Sequence, residues 1–223
     1  MDLSRYSEDQ LTALLRSLQN EERDRKRYAR LEDYTPYPKQ REFHAHGIRY
    51  RERMLAAGNQ LGKTFAAAAE TTYHLTGRYP PWWEGIRFSR PVTILAGSES
   101  GELTRDGMQR LLVGPPSVEE NWGSGMIPRD MLAAKPKRRA GVKDAIDAVV
   151  VNSVHGGQSV IRFKSFDQGR SKWQADTVDA IWLDEELEVQ VDARAHAALP
   201  QRRDADPPVL PRGQIGRASC RER

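Results

Sequence analysis

An eight-residue run, AGNQLGKT at positions 57–64, lies between a short apolar stretch, Met54-Leu55-Ala56-Ala57, and an alanine-rich segment from Thr64 to Leu75. Apolar strand, glycine-bearing turn and helix, in that order, is the context in which a phosphate-binding loop works. Small residues let backbone amides close around a phosphate, and the first turn of the following helix adds partial positive charge. In such a loop Lys63 reaches the β- and γ-phosphates and the Thr64 hydroxyl ligates Mg2+. Gly58, Asn59, Gln60, Leu61, Gly62, Lys63 and Thr64 are therefore the expected nucleotide-binding stretch. The strict pattern G-x-x-x-x-G-K-[ST] wants glycine at 57; this chain has Ala57, with Gly58 after it. A chance Gly-Lys-Thr at a helix start is the competing reading, and it leaves both flanks unexplained.

A second apolar run, Val178 to Leu183, ends in Asp184-Glu185, about 120 residues behind the loop. Strands often end in acids, so this pair gains meaning from the loop upstream. Together they predict ATP and Mg2+ as cofactors. Asp184 joins Thr64 in ordering the metal, and Glu185, with its diverging side chain, polarises the attacking water as catalytic base beside Lys63. Upstream, Tyr37-Pro38-Lys39-Gln40 with Phe43-His44 lies about twenty residues before the loop. A glutamine amide offers a donor and an acceptor that suit the N6 and N7 edge of adenine, and a tyrosine ring can stack on the base. Gln40 and Tyr37 are thus expected at the adenine; a surface amide and a packing aromatic are the plainer alternative.

The remaining chain supplies a frame for these motifs. Ser7-Glu8-Asp9-Gln10 fits a capping box, and Leu11, Leu14, Leu15 and Leu18 then share a helical face. Glu21 to Glu32 is densely charged, either a solvated helix surface or a tether for another subunit. Lys39 to Arg53 reads as a second helix. Pro91–Ala96 and Val178–Leu183 read as buried strands, and Leu103–Leu112 as a helix. Ala145–Val154 and Ser159–Phe166 form a hairpin around His155-Gly156-Gly157-Gln158. The expected fold is α/β: a three-layer P-loop NTPase of the type with an additional strand and a catalytic glutamate, on a mainly parallel sheet, preceded by an N-terminal helix. Mean hydropathy is −0.72 and no apolar run approaches the roughly 18 residues of a membrane span. The expectation is a soluble intracellular protein without a signal peptide. One cysteine, Cys220, excludes an internal disulfide framework, and a net charge of +4 neither requires nor excludes a nucleic-acid partner.

The C-terminus is anomalous. Residues 214–223, QIGRASCRER, back-translate with permitted codons into a short-read sequencing adapter, and are expected to be an artefact rather than an ordinary basic tail. Without their three arginines and one glutamate the formal charge falls from +4 to +2. Residues 187–213 lack helical or strand periodicity. A one-base shift of permitted codons for 196–213 gives TLRYRNDGMLILPFYPA, a glycine turn and an apolar strand. A frameshift is the favoured reading over a proline-rich linker, which places the end of reliable sequence near Glu186. The domains are then a helical segment (1–33), an incomplete P-loop ATPase domain (34–186), a frameshifted or disordered segment (187–213) and the tail (214–223).

The stretches YTPYPKQREFH (34–44), MLAAGNQLGKTFAAAAE (54–70), HLTGRYPPWWEGIRF (74–88), GSGMIP (123–128), FKSFDQGRSKWQ (163–174) and DAIWLDEE (179–186) resemble the N-terminal ATPase domain of phage terminase large subunits. The loop and acid pair are shared with helicases; TGRYPPWW and SFDQGRSKWQ carry the specific likeness. The resemblance implies ATP-driven translocation of double-stranded DNA into a procapsid and a C-terminal RNase H-like nuclease in the full-length protein. It also implies the portal protein and terminase small subunit as partners, a homo-oligomeric ring on the portal, and action in the host cytoplasm with no membrane. No nuclease carboxylate can be assigned. Relaxed first positions of the loop occur in helicase-like and packaging ATPases, which suits Ala57. Two further departures from the family stand out: Asn59 and Gln60 where many members carry arginine, and Ala175 at a position commonly glycine. Arg170 and Lys172 are candidates for sensing charge between subunits, or are solvated loop charges. A helicase-like ATPase acting on nucleic acid is the alternative function. A nucleotide-holding scaffold is disfavoured because Lys63, Thr64, Asp184 and Glu185 are all retained.

Overall fold

The computed structural model describes residues 7–58, 60–168, 173 and 177–184, with the backbone alone of 168 and 217–219. The first element is α1 (Glu8–Tyr28), and its start follows from local chemistry. Ser7 Oγ accepts from the Gln10 amide at 3.3 Å, and Gln10 Oε1 accepts from the Ser7 amide at 2.9 Å. This is the expected reciprocal cap. No residue of α1 is buried, and Leu15 and Leu18 are exposed. Its C-terminal end docks through Arg27, which donates to Asn121 Oδ1, and through Tyr28, whose ring lies 4.2 Å beneath the Arg129 guanidinium.

Helix α2 spans Pro38–Ala45, shorter than the Lys39–Arg53 run that periodicity suggests. A 3-10 turn, His46–Ile48, closes it. Arg53 lies beyond that turn and reaches back, donating to the Phe43 carbonyl at 2.8 Å. Its guanidinium lies so close to Gly47 that a Cβ there would stand 3.1 Å from it. Strand β1 (Met54–Ala56) leads through the loop into α3 (Lys63–Thr76), which Gly77 ends at φ 73°. Positive φ at the residue after a helix is the ordinary glycine C-cap.

The main sheet consists of β2 (Thr93–Ser98), β3 (Lys137–Arg138), β4 (Ile146–Asn152), β5 (Gln158–Ser165) and β6 (Ala180–Leu183), in the order β3-β4-β5-β2-β6. The β4–β5 hairpin is antiparallel, as is β3–β4, whereas β2 runs parallel to both β5 and β6. The sheet is therefore mixed rather than mainly parallel. The hairpin that the sequence announces joins the sheet beside β2, and a hairpin brings an antiparallel pair with it. Strand β1 pairs instead with β7 (Arg217–Ser219), in parallel, and makes no ladder with the five-stranded sheet among the described residues. That partner lies within the tail set aside on sequence grounds.

Alternation along β2 divides the interior. Ile94 and Ala96 join the large core with α3 and the helical run formed by α4 (Gly101–Leu103), a π segment (Thr104–Gln109) and α5 (Arg110–Val113). Leu95 faces the other way, into a small cluster with Trp173 and Val178. Gly97 makes this second face possible, because a Cβ there would stand 2.5 Å from Trp173. Trp173 stacks on Phe166 at 4.7 Å and 7°. Among the described residues the sheet-packing helices cover one face; these aromatic rings cover the other. No described helix is long and apolar enough to cross a membrane.

A buried carboxylate pins the start of β6. Asp179, 1% exposed, accepts from Arg90 at 2.7 Å and from the Thr93 amide at 2.8 Å, and its own amide donates to the Thr93 carbonyl. Asp179→Ala leaves the half-buried Thr93 amide unpaired and is expected to lower stability by about 2 kcal/mol. Arg90→Ala should cost less, about 1 kcal/mol, because the guanidinium is partly solvated. Urea denaturation midpoints of the two variants check this; a larger loss for Arg90→Ala would contradict it.

Candidate nucleotide site

Strand β1 delivers the loop to the N-terminus of α3. Gln60 and Gly62 both take positive φ, at 62° and 74°, so the backbone reverses twice before the helix begins. Gly62 is the N-cap, and its carbonyl accepts from the Ala66 amide at 2.9 Å as the first helical bond. Lys63 Nζ donates across the loop to the Ala57 carbonyl, and to the Gly58 carbonyl at 3.1 Å. Leu61 is exposed at the rim. Asn59 lies outside the described residues.

The loop and the acidic strand end meet. Thr64 Oγ1 donates to Asp184 Oδ2 at 3.2 Å, joining residues 120 apart in sequence. The ladder beneath keeps Asp184 in place, because its amide donates to the Gly97 carbonyl at 3.0 Å and so extends the pairing of β6 with β2. A hydroxyl and a carboxylate at this separation are hard oxygen donors of the kind Mg2+ accepts, a metal that takes one or two protein groups and completes its shell with phosphate and water. Glu185, Arg170, Lys172 and Ala175 lie outside the described residues.

The two residues expected at the adenine differ sharply in surroundings. Tyr37 is 68% exposed, an open ring at the start of α2. Gln40 is 5% exposed and its amide is engaged on both ends. Nε2 donates to the carbonyls of Gly62 at 3.2 Å and Leu61 at 3.4 Å. Oε1 accepts from the Tyr37 amide at 3.0 Å and from the Tyr34 hydroxyl at 3.4 Å. An adenine edge could use this amide only by displacing those partners.

Behind Gln40 lies a buried polar cluster that motif reading missed. The Tyr34 hydroxyl is 2.9 Å from His44 Nε2, and His44 Nδ1 is 2.7 Å from Glu70 Oε2. The opposite oxygen of Glu70 meets Arg53 at 2.5 Å and His74 Nε2 at 3.4 Å. His74 Nδ1 is 3.0 Å from the Tyr79 hydroxyl, which accepts from the Phe88 amide at 2.9 Å. Burial alone would raise the Glu70 carboxyl, but hydrogen bonds from His44 and His74 and the Arg53 charge together hold it well below its ordinary value. Burial also pushes the Tyr34 hydroxyl well above its usual range, and lifts that of Tyr79 to about 12. The TGRYPPWW segment forms the wall of this cluster: Trp83 packs 5.1 Å from His44 and 5.3 Å from Tyr73. One signal was present in the sequence, a lone glutamate in the alanine-rich helix with a histidine four residues on.

Replacing the Glu70 carboxylate by an amide strands the Arg53 charge, and Glu70→Gln is expected to cost about 3 kcal/mol. Because folding holds this carboxyl below its ordinary value of 4.5, its contribution is complete above that pH and is lost as pH falls toward the folded value. Denaturation midpoints taken from neutral pH downward should therefore decline less steeply below 4.5 in Glu70→Gln than in the parent chain. Parallel curves would contradict the assignment.

Residues 54–201 match the family described as Terminase large subunit, T4likevirus-type, N-terminal. The match runs past Glu186, so the boundary drawn there on periodicity is not where the likeness to the family ends. The terminase large subunit of Salmonella phage P22 is 37% identical over 201 residues, an alignment covering 82% of this chain and 40% of that protein. The chain thus spans less than half the length of this curated relative. No solved structure gives a significant match. With the phosphate-loop geometry and a family match that begins at β1 and takes in both halves of the Thr64–Asp184 contact, the chain belongs to the terminase large subunit family, of whose N-terminal region it is a member.

Proposed function

We propose that this chain binds and hydrolyses ATP with Mg2+, and that the hydrolysis drives double-stranded DNA into a phage procapsid as part of a complete large subunit. The observation that carries the reading is the 3.2 Å contact between Thr64 and Asp184, which unites a loop hydroxyl and a strand-end carboxylate at the head of α3. Backbone amides of the loop and the α3 N-terminus bind the phosphates. Lys63 exchanges its loop carbonyls for β- and γ-phosphate oxygens. Thr64 and Asp184 hold Mg2+, which neutralises charge on the transferring phosphoryl group. Glu185 orients the attacking water and takes its proton. Tyr37 offers its exposed ring to the adenine face. The nuclease, the portal and small-subunit partners, and the homo-oligomeric ring on the portal belong to the complete protein in this reading. The P22 relative supports it, being a terminase large subunit more than twice as long as its aligned part.

ATP turnover separates the proposed roles. Lys63→Ala removes the charge facing the phosphoryl group and is expected to lower turnover by about 10²-fold or more. Glu185→Gln should bind Mg-ATP as the parent does while hydrolysing it about 10²-fold or more slowly. Asp184→Asn should weaken the metal-dependent part of binding as well. Parent-like turnover in Lys63→Ala would remove the site from consideration, and equal binding and turnover in the two acid variants would place the acid chemistry elsewhere.

A further inference from the structure

We infer that Arg53 and Glu70 form a side-chain tie that closes the phosphate loop from behind, which makes both of them positioning residues of the nucleotide site. The inference rests on the ATPase reading for its effect on nucleotide, whereas the tie itself is a property of the free chain. The two residues bracket the loop. Arg53 immediately precedes β1 (Met54–Ala56), and Glu70 follows Lys63 by seven residues on α3. Seven residues are nearly two helical turns, so Glu70 stands about 10 Å along the axis from Lys63, on the same side of the helix. The span from 53 to 70 therefore leaves as a strand, turns through the loop and returns as a helix to its own starting point.

The contact that joins the ends is two-pronged. Arg53 Nη2 donates to Glu70 Oε1 at 2.5 Å, and Nη1 donates to Oε2 at 3.3 Å. Nη1 also donates to the Phe43 carbonyl at 2.8 Å, and the guanidinium lies 4.6 Å from the centre of the Phe43 ring. His44 Nδ1 lies 2.7 Å from Glu70 Oε2, so both ends of the span are fixed on α2 as well as on each other. A forked guanidinium–carboxylate pair sets direction as well as distance, and Glu70 is 6% exposed, so water offers it little alternative. Backbone pairing does not hold β1 to the main sheet among the described residues; its ladder is with β7, at residues 217–219. Within the span, Lys63 Nζ donates to the Ala57 and Gly58 carbonyls. In the ATPase reading Lys63 gives up those carbonyls when phosphate binds. The Arg53–Glu70 pair then keeps β1 at its distance from α3, and with it the curvature that aims the loop amides inward.

Calorimetric titration with Mg-ATP and amide hydrogen exchange without nucleotide test the tie together, at a temperature where circular dichroism shows each variant folded. Arg53→Met and Glu70→Gln should each weaken Mg-ATP binding about tenfold, and the double variant should lose no more than the larger single loss, because the same contact is removed in all three. Arg53→Lys keeps the charge without the fork; it should fall between the parent and Arg53→Met, and it replaces Glu70→Gln if that variant does not fold. Met131→Ala truncates the core outside this span and its partners, and should bind as the parent does. Exchange at residues 64–68 should be about tenfold faster in Arg53→Met and parent-like in Met131→Ala. If the parent binds Mg-ATP, parent-like affinity in Arg53→Met overturns the inference, as do losses that multiply in the double variant. If the parent binds none, faster exchange in Arg53→Met upholds the tie and defeats the ATPase reading, whereas parent-like exchange overturns the tie.

Discussion

The Glu70 carboxylate holds together parts of the chain that share no strand ladder. It is buried in the middle of α3 and bonded to His44 from α2, Arg53 from the approach to β1, and His74 one helical turn further on. Taking a carboxylate out of water costs several kcal/mol, and only a complete set of donors offsets that. The cost makes the arrangement specific. If α2 shifted along α3, the oxygen facing His44 would keep only its longer Arg53 bond at 3.3 Å; if the segment before β1 swung out, the charge would lose its arginine. The loop is thus bracketed, with Arg53 fixing the approach to β1 on one side and Glu70 anchored in α3 on the other. The aromatic segment after Gly77 closes the cluster from solvent, which explains physically why tyrosine and two tryptophans follow the glycine that ends the helix.

A second constraint positions the other half of the site. Strand β6 is short and pairs only with β2 among the described strands, so its direction depends on few contacts. Asp179 fixes one end through Arg90 and Thr93, and the Asp184 amide fixes the other through the Gly97 carbonyl. Gly97 answers two needs together: it supplies that carbonyl, and its missing side chain admits Trp173 against the sheet. Trp173 thereby packs against the strand whose Gly97 carbonyl holds the Asp184 amide. The same sheet shows why β1 stands apart. Its ladder partner is β7 and not a member of the five-stranded sheet, so side-chain contact from Thr64 to Asp184, rather than backbone pairing, links the loop to β6 among the described residues.

Local chemistry made much of this legible. The Ser7–Gln10 cap, the glycine stop after α3 and the β4–β5 hairpin were readable because each is decided within a few residues. Strand, loop, helix and a later acidic strand were readable as an ordered motif, and the Thr64 hydroxyl and Asp184 carboxylate taken from that motif lie 3.2 Å apart. What could not be read depends on contacts distant in sequence. The helix expected through Arg53 stops at Ala45 because Arg53 belongs to Glu70, seventeen residues on. The mixed character of the sheet follows from where the hairpin attaches, which its own residues do not encode. Gln40 reads from sequence as an adenine contact or a surface amide; its burial against the Gly62 carbonyl arises only when α2 packs beside α3. The expectations for Asn59, Glu185, Arg170 and Lys172 fall on residues outside those described.

The proposed activity depends on one nucleotide site at the α3 N-terminus and the end of β6. A crystal structure with Mg2+ and a non-hydrolysable ATP analogue tests it most directly. Phosphates should sit on the amides of residues 60–64, Lys63 Nζ should move from its loop carbonyls to a γ-phosphate oxygen, and the metal should bond to Thr64 Oγ1 with Asp184 ordering it directly or through water. A nucleotide bound away from the loop, or a metal held without Thr64 and Asp184, would contradict the proposed site.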